Sequence, residues 1–309
     1  MATTRMSDIG ALMLAGSTAI FEKNVKVPAK EYWREIATVV PEDKQVGNYD
    51  TLGNLGPAVK HEEESAGAYD KIEYNNRTNI TSYVWEKKVK ITLEANVFDQ
   101  YGVVEKQFGA PMIKTLRDLK EINVAGVYND MFTSTGADGV FYASATHPLL
   151  NSGKVNNNLM TGALSTENIK KMQNMFHSIY NQAGALHGTR ATHLLVNEDK
   201  QFQVFELLNS ALMPWELSNT KNSLEMNGKI KVVLNPYLTI ASTGTDPVAP
   251  WFMLDMSLDK AGVIMQTKQG ISLHNWLEDD DLTLRGTAYE IYGVGCTAPG
   301  YGFIASTGA

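Results

Sequence analysis

Tyr32, Trp33, Ile36, Val39 and Val40 recur at helical spacing in "PAKEYWREIATVV". That period predicts a helix over about 28–41, entered at Pro28, whose missing N–H costs little in a first turn, and stopped at Pro41. Before it, "IGALMLAGSTAIF" (Ile9 to Phe21) is apolar throughout and predicts a short amphipathic or buried N-terminal segment. After it, "GNYDTLGNLGPAV" carries three glycines and a proline, so no helix survives there. The pattern then changes period. From about Ser82 to Leu93, Val84, Glu86, Lys88, Lys90 and Thr92 alternate with Trp85, Lys87, Val89, Ile91 and Leu93, which predicts a strand. The stretch 42–95 therefore reads as a long, polar, two-stranded excursion. Such a hairpin is marginal in water by itself, so it needs its own body or a neighbouring subunit to lie on.

The strongest periodicity follows. Val104, Phe108, Met112, Leu116, Leu119, Asn123, Val127 and Met131 lie three to four apart, with Lys114, Arg117, Asp118, Lys120 and Glu121 assigned to the opposite face. This predicts a helix over about 103–133, kinked or split at Gly109-Ala110-Pro111. "STENIKKMQNMFHSIYNQAG" predicts another, capped by Ser165 or Thr166, with Met172, Met175, Phe176, Ile179 and Tyr180 apolar and Gly184 at its end. "ATHLLVNED", "KIKVVLNPYL" and "PWFMLDM" read as buried strands, with a helix in "DKQFQVFELLNSA" after the first. "GVIMQTK", "ISLHNW" and "LTLRGTAYEIYGVGCT" alternate and read as sheet. The fold class is α+β.

Composition narrows the function. Apolar residues make up 43% of 309, enough for a packed core, and the formal charge of −7 argues against a surface built to grip nucleic-acid phosphates. The apolar run at 9–21 is shorter than the ~20 residues a bilayer span needs, and with no clean cleavage site after it the chain reads as soluble and intracellular. Cys296 is the one cysteine, so intrachain disulfides and cysteine metal sites are excluded. The histidines His61, His147, His177, His187, His193 and His274 include no pair at the i, i+4 spacing of a helical zinc site. The acidic runs "HEEES" and "LEDDDL" lack the alternating oxygen ligands and turn glycine of a calcium loop. There is no nucleophile elbow and no phosphate-binding loop. The loop "DGVFYASATHPLLNSGKVNNN", Asp138 to Asn158, crowds Asp, Ser, Thr and His together without base–nucleophile spacing. No catalytic residue, cofactor or metal site is assigned.

Several motifs carry a family resemblance. "NYDTLGNLGPAV" (48–59) looks like the start of the extended loop in Mu-like major head subunits. "FDQYG" to "YNDMF" looks like their spine helix, and "DGVFYASATHPL" resembles the Asp-Gly…His-Pro loop that follows it. "THLLVNEDKQFQVFELLNS" and "LNPYL…PWFMLDM" resemble the next strand-helix unit and its closing strands, with Asn197-Glu198 in place of the usual Pro-Pro. The chain thus resembles the major capsid protein of tailed bacteriophages, the HK97 fold. That resemblance implies an N-terminal arm (1–41), an extended loop (42–95), a peripheral domain (96–185), an axial domain (186–255), and return strands with a C-terminal tail (256–309). It implies self-assembly into pentamers and hexamers of an icosahedral virion shell, put together in the host cytoplasm and enclosing double-stranded DNA without sequence-specific binding or membrane contact. A portal protein is an implied partner. A separate scaffolding protein and a decoration protein are further partners it leaves room for, since no charged coiled coil precedes the arm. The implied inter-subunit contact residues are Tyr49, Leu52, Leu55, Lys60, Glu62, Glu63, Glu64, Tyr83 and Trp85. Some members cross-link a lysine to an asparagine; Lys60 lies in the extended loop and asparagines are abundant, but the sequence names no partner for it. Two alternatives stay open: an encapsulin-type compartment shell, and a metal-assisted hydrolase using Asp138, His147 and the acidic runs.

Overall fold

A computed structural model describes residues 6–27, 30–52, 74–92, 109–150, 152–210, 230–239, 249–258, 262–278 and 283–308, with residues 55, 58, 60, 69, 222 and 224 between them. In chain order the elements are α1 (Met6–Val25), α2 (Trp33–Ile36), β1 (Thr38–Pro41), β2 (Val46–Leu52), β3 (Tyr74–Thr81), β4 (Tyr83–Thr92) and α3 (Ala110–Asn129). The short strands β5 (His147–Pro148), β6 (Val155–Asn156) and β7 (Leu159–Met160) follow, then α4 (Thr166–Phe176), β8 (His193–Asn197), α5 (Gln201–Asn209) and β9 (Lys231–Asn235). The chain closes with β10 (Trp251–Leu254), β11 (Gly262–Glu278), β12 (Thr283–Thr297), α6 (Pro299–Gly302) and β13 (Phe303–Ser306).

Two sheets organise these elements. The first runs β1-β11-β12-β4, with β1 parallel to β11 and the other pairs antiparallel. Its centre is a long pair: β11 and β12 stay in register from Gly262↔Thr297 to Glu278↔Thr283, interrupted only by bulges between Thr267 and Ser272. The two segments expected on either side of Gly270 are therefore one strand, and the bulges absorb the break in alternation. The second sheet runs β7-β13-β10-β8-β9. It crosses the expected domain boundaries, because β10 and β8 of the 186–255 stretch are completed by β13 from the tail and β7 from the loop after α3. β2 and β3 form a separate antiparallel ladder, from Val46↔Thr81 to Leu52↔Tyr74.

The long helix α3 crosses the first sheet and packs on β12, β11 and β4. It starts later than its periodicity suggested. Gly109 has φ −103° and ψ −107°, outside the helical region, and Pro111 occupies the first turn. Residues 101–108 lie outside the described residues. Its buried face is Met112, Ile113, Leu116, Glu121, Val124, Ala125 and Tyr128. This corrects the expected stripe: Leu119, Asn123 and Val127 are half-buried, and Glu121, expected on the solvent face, is 8% exposed.

The core has three connected parts. Met112, Ile113 and Leu116 meet Phe21, Ile91, Leu284 and Ala288 at one end of the first sheet. Val124, Tyr128 and Met131 meet Trp33, Ile36, Phe252, Met265 and Tyr292 at the other. Phe252 has Tyr128 edge-on at 5.2 Å and Phe132 at 6.1 Å, and burying one such ring contributes about 1.5–3 kcal/mol. The far face of the second sheet packs α4 through Ile169, Met172 and Phe176.

Two helices end sooner than expected. α2 covers only Trp33–Ile36, and Thr38-Val39-Val40-Pro41 is strand β1, where β-branched residues pair alongside β11. α4 is capped by Ser165, whose Oγ accepts from Asn168 N at 3.2 Å, and stops at Phe176. Gly184 instead belongs to a turn in which Asn181 Oδ1 accepts from Ala183 N and Ala185 N. α1 packs on β11 and α3, with Asn275 Nδ2 donating to Leu14 O and Ser17 Oγ. No described helix is long and apolar enough to cross a membrane.

Candidate functional site

Three places concentrate polar chemistry: the root of the β2–β3 ladder, the loop behind α3, and a seam of α3 with β12 and the chain before β1. At the root, Gln266 is fully buried on β11. Its Oε1 accepts from Tyr49 Oη at 3.3 Å, and its Nε2 donates to Ser82 Oγ at 2.8 Å. Two close approaches press the ladder onto the sheet. A Cβ on Gly293 would stand 2.4 Å from Thr81 O, a backbone atom that cannot yield, and a Cβ on Gly47 would stand 2.0 Å from Gln266 Oε1. Farther out, Arg77 and Asp50 face each other across the ladder in a bidentate pair, Nε–Oδ1 2.6 Å and Nη2–Oδ2 3.0 Å. The hydrogen bonds from Arg77 lower the Asp50 pKa. The pair is solvent-exposed, where such contacts add little stability.

The expected contact residues divide. Leu52, Leu55 and Tyr83 are exposed at 54%, 53% and 59%, and Lys60 is exposed as well. Tyr49 is half-buried by its bond to Gln266. Trp85 turns inward: it stacks on Tyr292 at 5.6 Å and its Nε1 donates to Tyr292 O at 3.3 Å. It belongs to the chain's own packing, because the indole covers one end of the core. Glu62, Glu63 and Glu64 lie outside the described residues. Val84 and Tyr74, not singled out from the sequence, are exposed beside these at 60% and 54%.

The loop behind α3 resolves the crowding of Asp, Ser, Thr and His. His147 is 3% exposed. Its Nδ1 lies 2.6 Å from Asp138 Oδ2 and its Nε2 lies 3.1 Å from Asn158 Oδ1. Asn158 is held from every side: Oδ1 also accepts from Ser144 N, and Nδ2 donates to Tyr142 O and Pro299 O. Asn156 does similar work, its side chain bonding Tyr180 O and Tyr180 N. These bonds tie the loop to the chain after α4 and to α6. Both imidazole nitrogens are used, and the adjoining cavity of about 30 Å³ has room for a water or two, not a substrate. Among the described residues no three His, Cys, Asp or Glu side chains come together to hold a metal. Cys296 is fully buried, and burial pushes its thiol far up, so it is no nucleophile.

A third polar group, not legible in the sequence, joins α3, β12 and the chain before β1. Lys120 Nζ lies 2.7 Å from Glu290 Oε2, which is 1% exposed, and Glu121 accepts from Tyr32 N and Trp33 N. Burial raises the pKa of both carboxyls, that of Glu121 to about 7.

The family model described as phage capsid protein matches residues 76–305. Among solved structures, the capsid of cyanophage P-SCSP1u aligns with a TM-score of 0.57 at 11% identity, covering 89% of this chain and 88% of that one. The capsid of cyanophage Pam1 aligns at 0.55 and 14%, covering 99% and 93%. The procapsid of bacteriophage JBD30 aligns at 0.50 and 15%, covering 98% and 76%. A search of curated protein sequences found no match.

Proposed function

The chain belongs to the phage capsid protein family, and from that premise we propose how it builds a shell. It is a structural major capsid protein with the HK97-like fold, a component of an icosahedral virion shell. The family match favours this over a compartment shell.

The β2–β3 ladder is the part that reaches a neighbouring subunit. The observation carrying this is that the ladder pairs with no other strand among the described residues and leaves Leu52 and Tyr74 bare at its far end. A shell subunit is one of many identical copies, and a surface repeated on every copy finds its complement on the next. Leu52, Leu55, Lys60 and Tyr83 are the contact residues on this reading, with Tyr74 and Val84 beside them. The 186–255 stretch lies nearest the centre of each pentamer or hexamer, and the shell is put together in the host cytoplasm. A formal charge of −7 suits a wall that encloses double-stranded DNA rather than gripping its phosphates. A portal protein would occupy one vertex, and a separate scaffolding protein and a decoration protein remain open partners. On this reading the role is structural: His147 and Asp138, the residues that most suggest chemistry, bond each other, and His147 bonds Asn158, whose amide holds the backbone.

Negative-stain electron microscopy of the purified full-length protein tests the reading. Closed shells of uniform size are expected; uniform small monomers at every concentration would sink it.

A further inference from the structure

Three side chains of α3 grip the main chain of the segment that leads from α1 into β1. Arg117 Nη2 donates to Val25 O at 3.0 Å and Val27 O at 3.1 Å. Glu121 accepts from Tyr32 N at 2.7 Å on Oε1 and from Trp33 N at 3.0 Å on Oε2. Tyr128 Oη donates to Ile36 O at 2.5 Å. Spaced four and seven residues apart, they lie along one face of the helix. Beneath them the side chains of Trp33 and Ile36 enter the core. The outer two grips are neutral or permanently charged groups at ordinary pH, and the middle one is a buried acid.

We propose that Glu121 is a proton-operated latch for residues 30–37, closed more tightly in acid and loosened above neutrality.

The charges around it explain why it is poised. On α3 itself, Arg117 is committed to those carbonyls and to Glu31 at 3.6 Å, and Lys120 to Glu290 at 2.7 Å. Asp118 on the same helix and Glu31 on the held segment both repel a negative Glu121. On that segment Lys30 lies over the Tyr32 ring, Arg34 pairs with Glu31, and Glu35 pairs with Lys231 of β9 at 3.0 Å. Tyr237, after β9, faces the carboxyl with a neutral phenol. The carboxylate is thus held by two N–H groups and buried. Burial raises its pKa from 4.5 to about 7 against the opposing pull of those N–H groups. Once the segment lifts, the carboxyl meets water and returns to its ordinary range. The closed state therefore binds the proton more tightly, so falling pH favours closure and rising pH favours opening. Protonation gives up one N–H bond at one oxygen, a smaller loss than keeping a charge buried beside Asp118 and Glu31 with no cation of its own among the described residues.

Hydrogen exchange by mass spectrometry on the full-length chain, corrected for intrinsic rates, reads the latch whether or not shells form. With the closed-state value near 7, opening of 30–37 should be about tenfold more frequent at pH 8 than at pH 6. Residues 251–254 in the core strand β10 should show no such change. Glu121→Gln cannot ionise, and its 30–37 segment should lose the pH dependence. A wild-type profile flat with pH, the same slope at 251–254, or a slope retained in Glu121→Gln overturns the proposal. If that variant fails to fold, the wild-type comparison of 30–37 with 251–254 still decides it.

Discussion

Asn158 uses its whole side chain: two bonds accepted from Ser144 N and His147 Nε2, two donated to Tyr142 O and Pro299 O. Removing it strands several buried groups at once, and each buried group left unpaired costs about 1–3 kcal/mol. Asn158→Ala should lower the unfolding free energy of unassembled subunits by about 2–4 kcal/mol in urea denaturation. A loss within experimental error would show that water replaces the side chain. Gly293 makes the opposite kind of demand, for space. Gly293→Ala must move Thr81 or bend β12, so a cost of about 1–3 kcal/mol or more is expected by the same measurement. Neither need was visible in the residue type. An asparagine among asparagines looks like loop chemistry, and a glycine in an alternating segment like any strand position, until the groups facing them are known.

At the scale of elements, periodicity found α3, α4, α5, β4 and β8 to β12, and misjudged the ends of several. Ser165 was legible because a cap is local: its hydroxyl bonds an N–H three residues on. The end of α4 was not, since Gly184 punctuates a turn that starts after the helix has stopped. β1 was hidden for a related reason. Val39 and Val40 continue a helical spacing, but a partner on β11, more than two hundred residues away, draws them into a strand. The face of α3 was misread at Glu121 and Lys120, because charge ordinarily marks the solvent side. These two instead meet Tyr32, Trp33 and Glu290, contributed by other elements. The proton dependence argued for residues 30–37 belongs to this level: a seam between three elements titrates, and no single element does.

For the whole molecule, the ladder and its bare apolar residues set the expectation for assembly. The double change Leu52→Glu and Leu55→Glu should leave the thermal midpoint of isolated subunits unchanged, since both side chains are exposed. It should abolish shell formation in sedimentation and electron microscopy. Normal shells from that variant would remove the ladder from the interface. The sequence by itself determined the α+β class, the kinds of most elements, the absence of a helical zinc pair or phosphate loop, and the family. Those features are carried by short-range periodicity, turn residues and local motifs, which survive without knowledge of partners. Only the tertiary structure decided which strands share a sheet, that Trp85 packs inward, that His147 is a fastener, and that Glu121 is a buried acid. Each of these depends on groups far apart in the chain meeting out of water, where the cost of an unpaired bond or charge becomes large enough to fix the outcome.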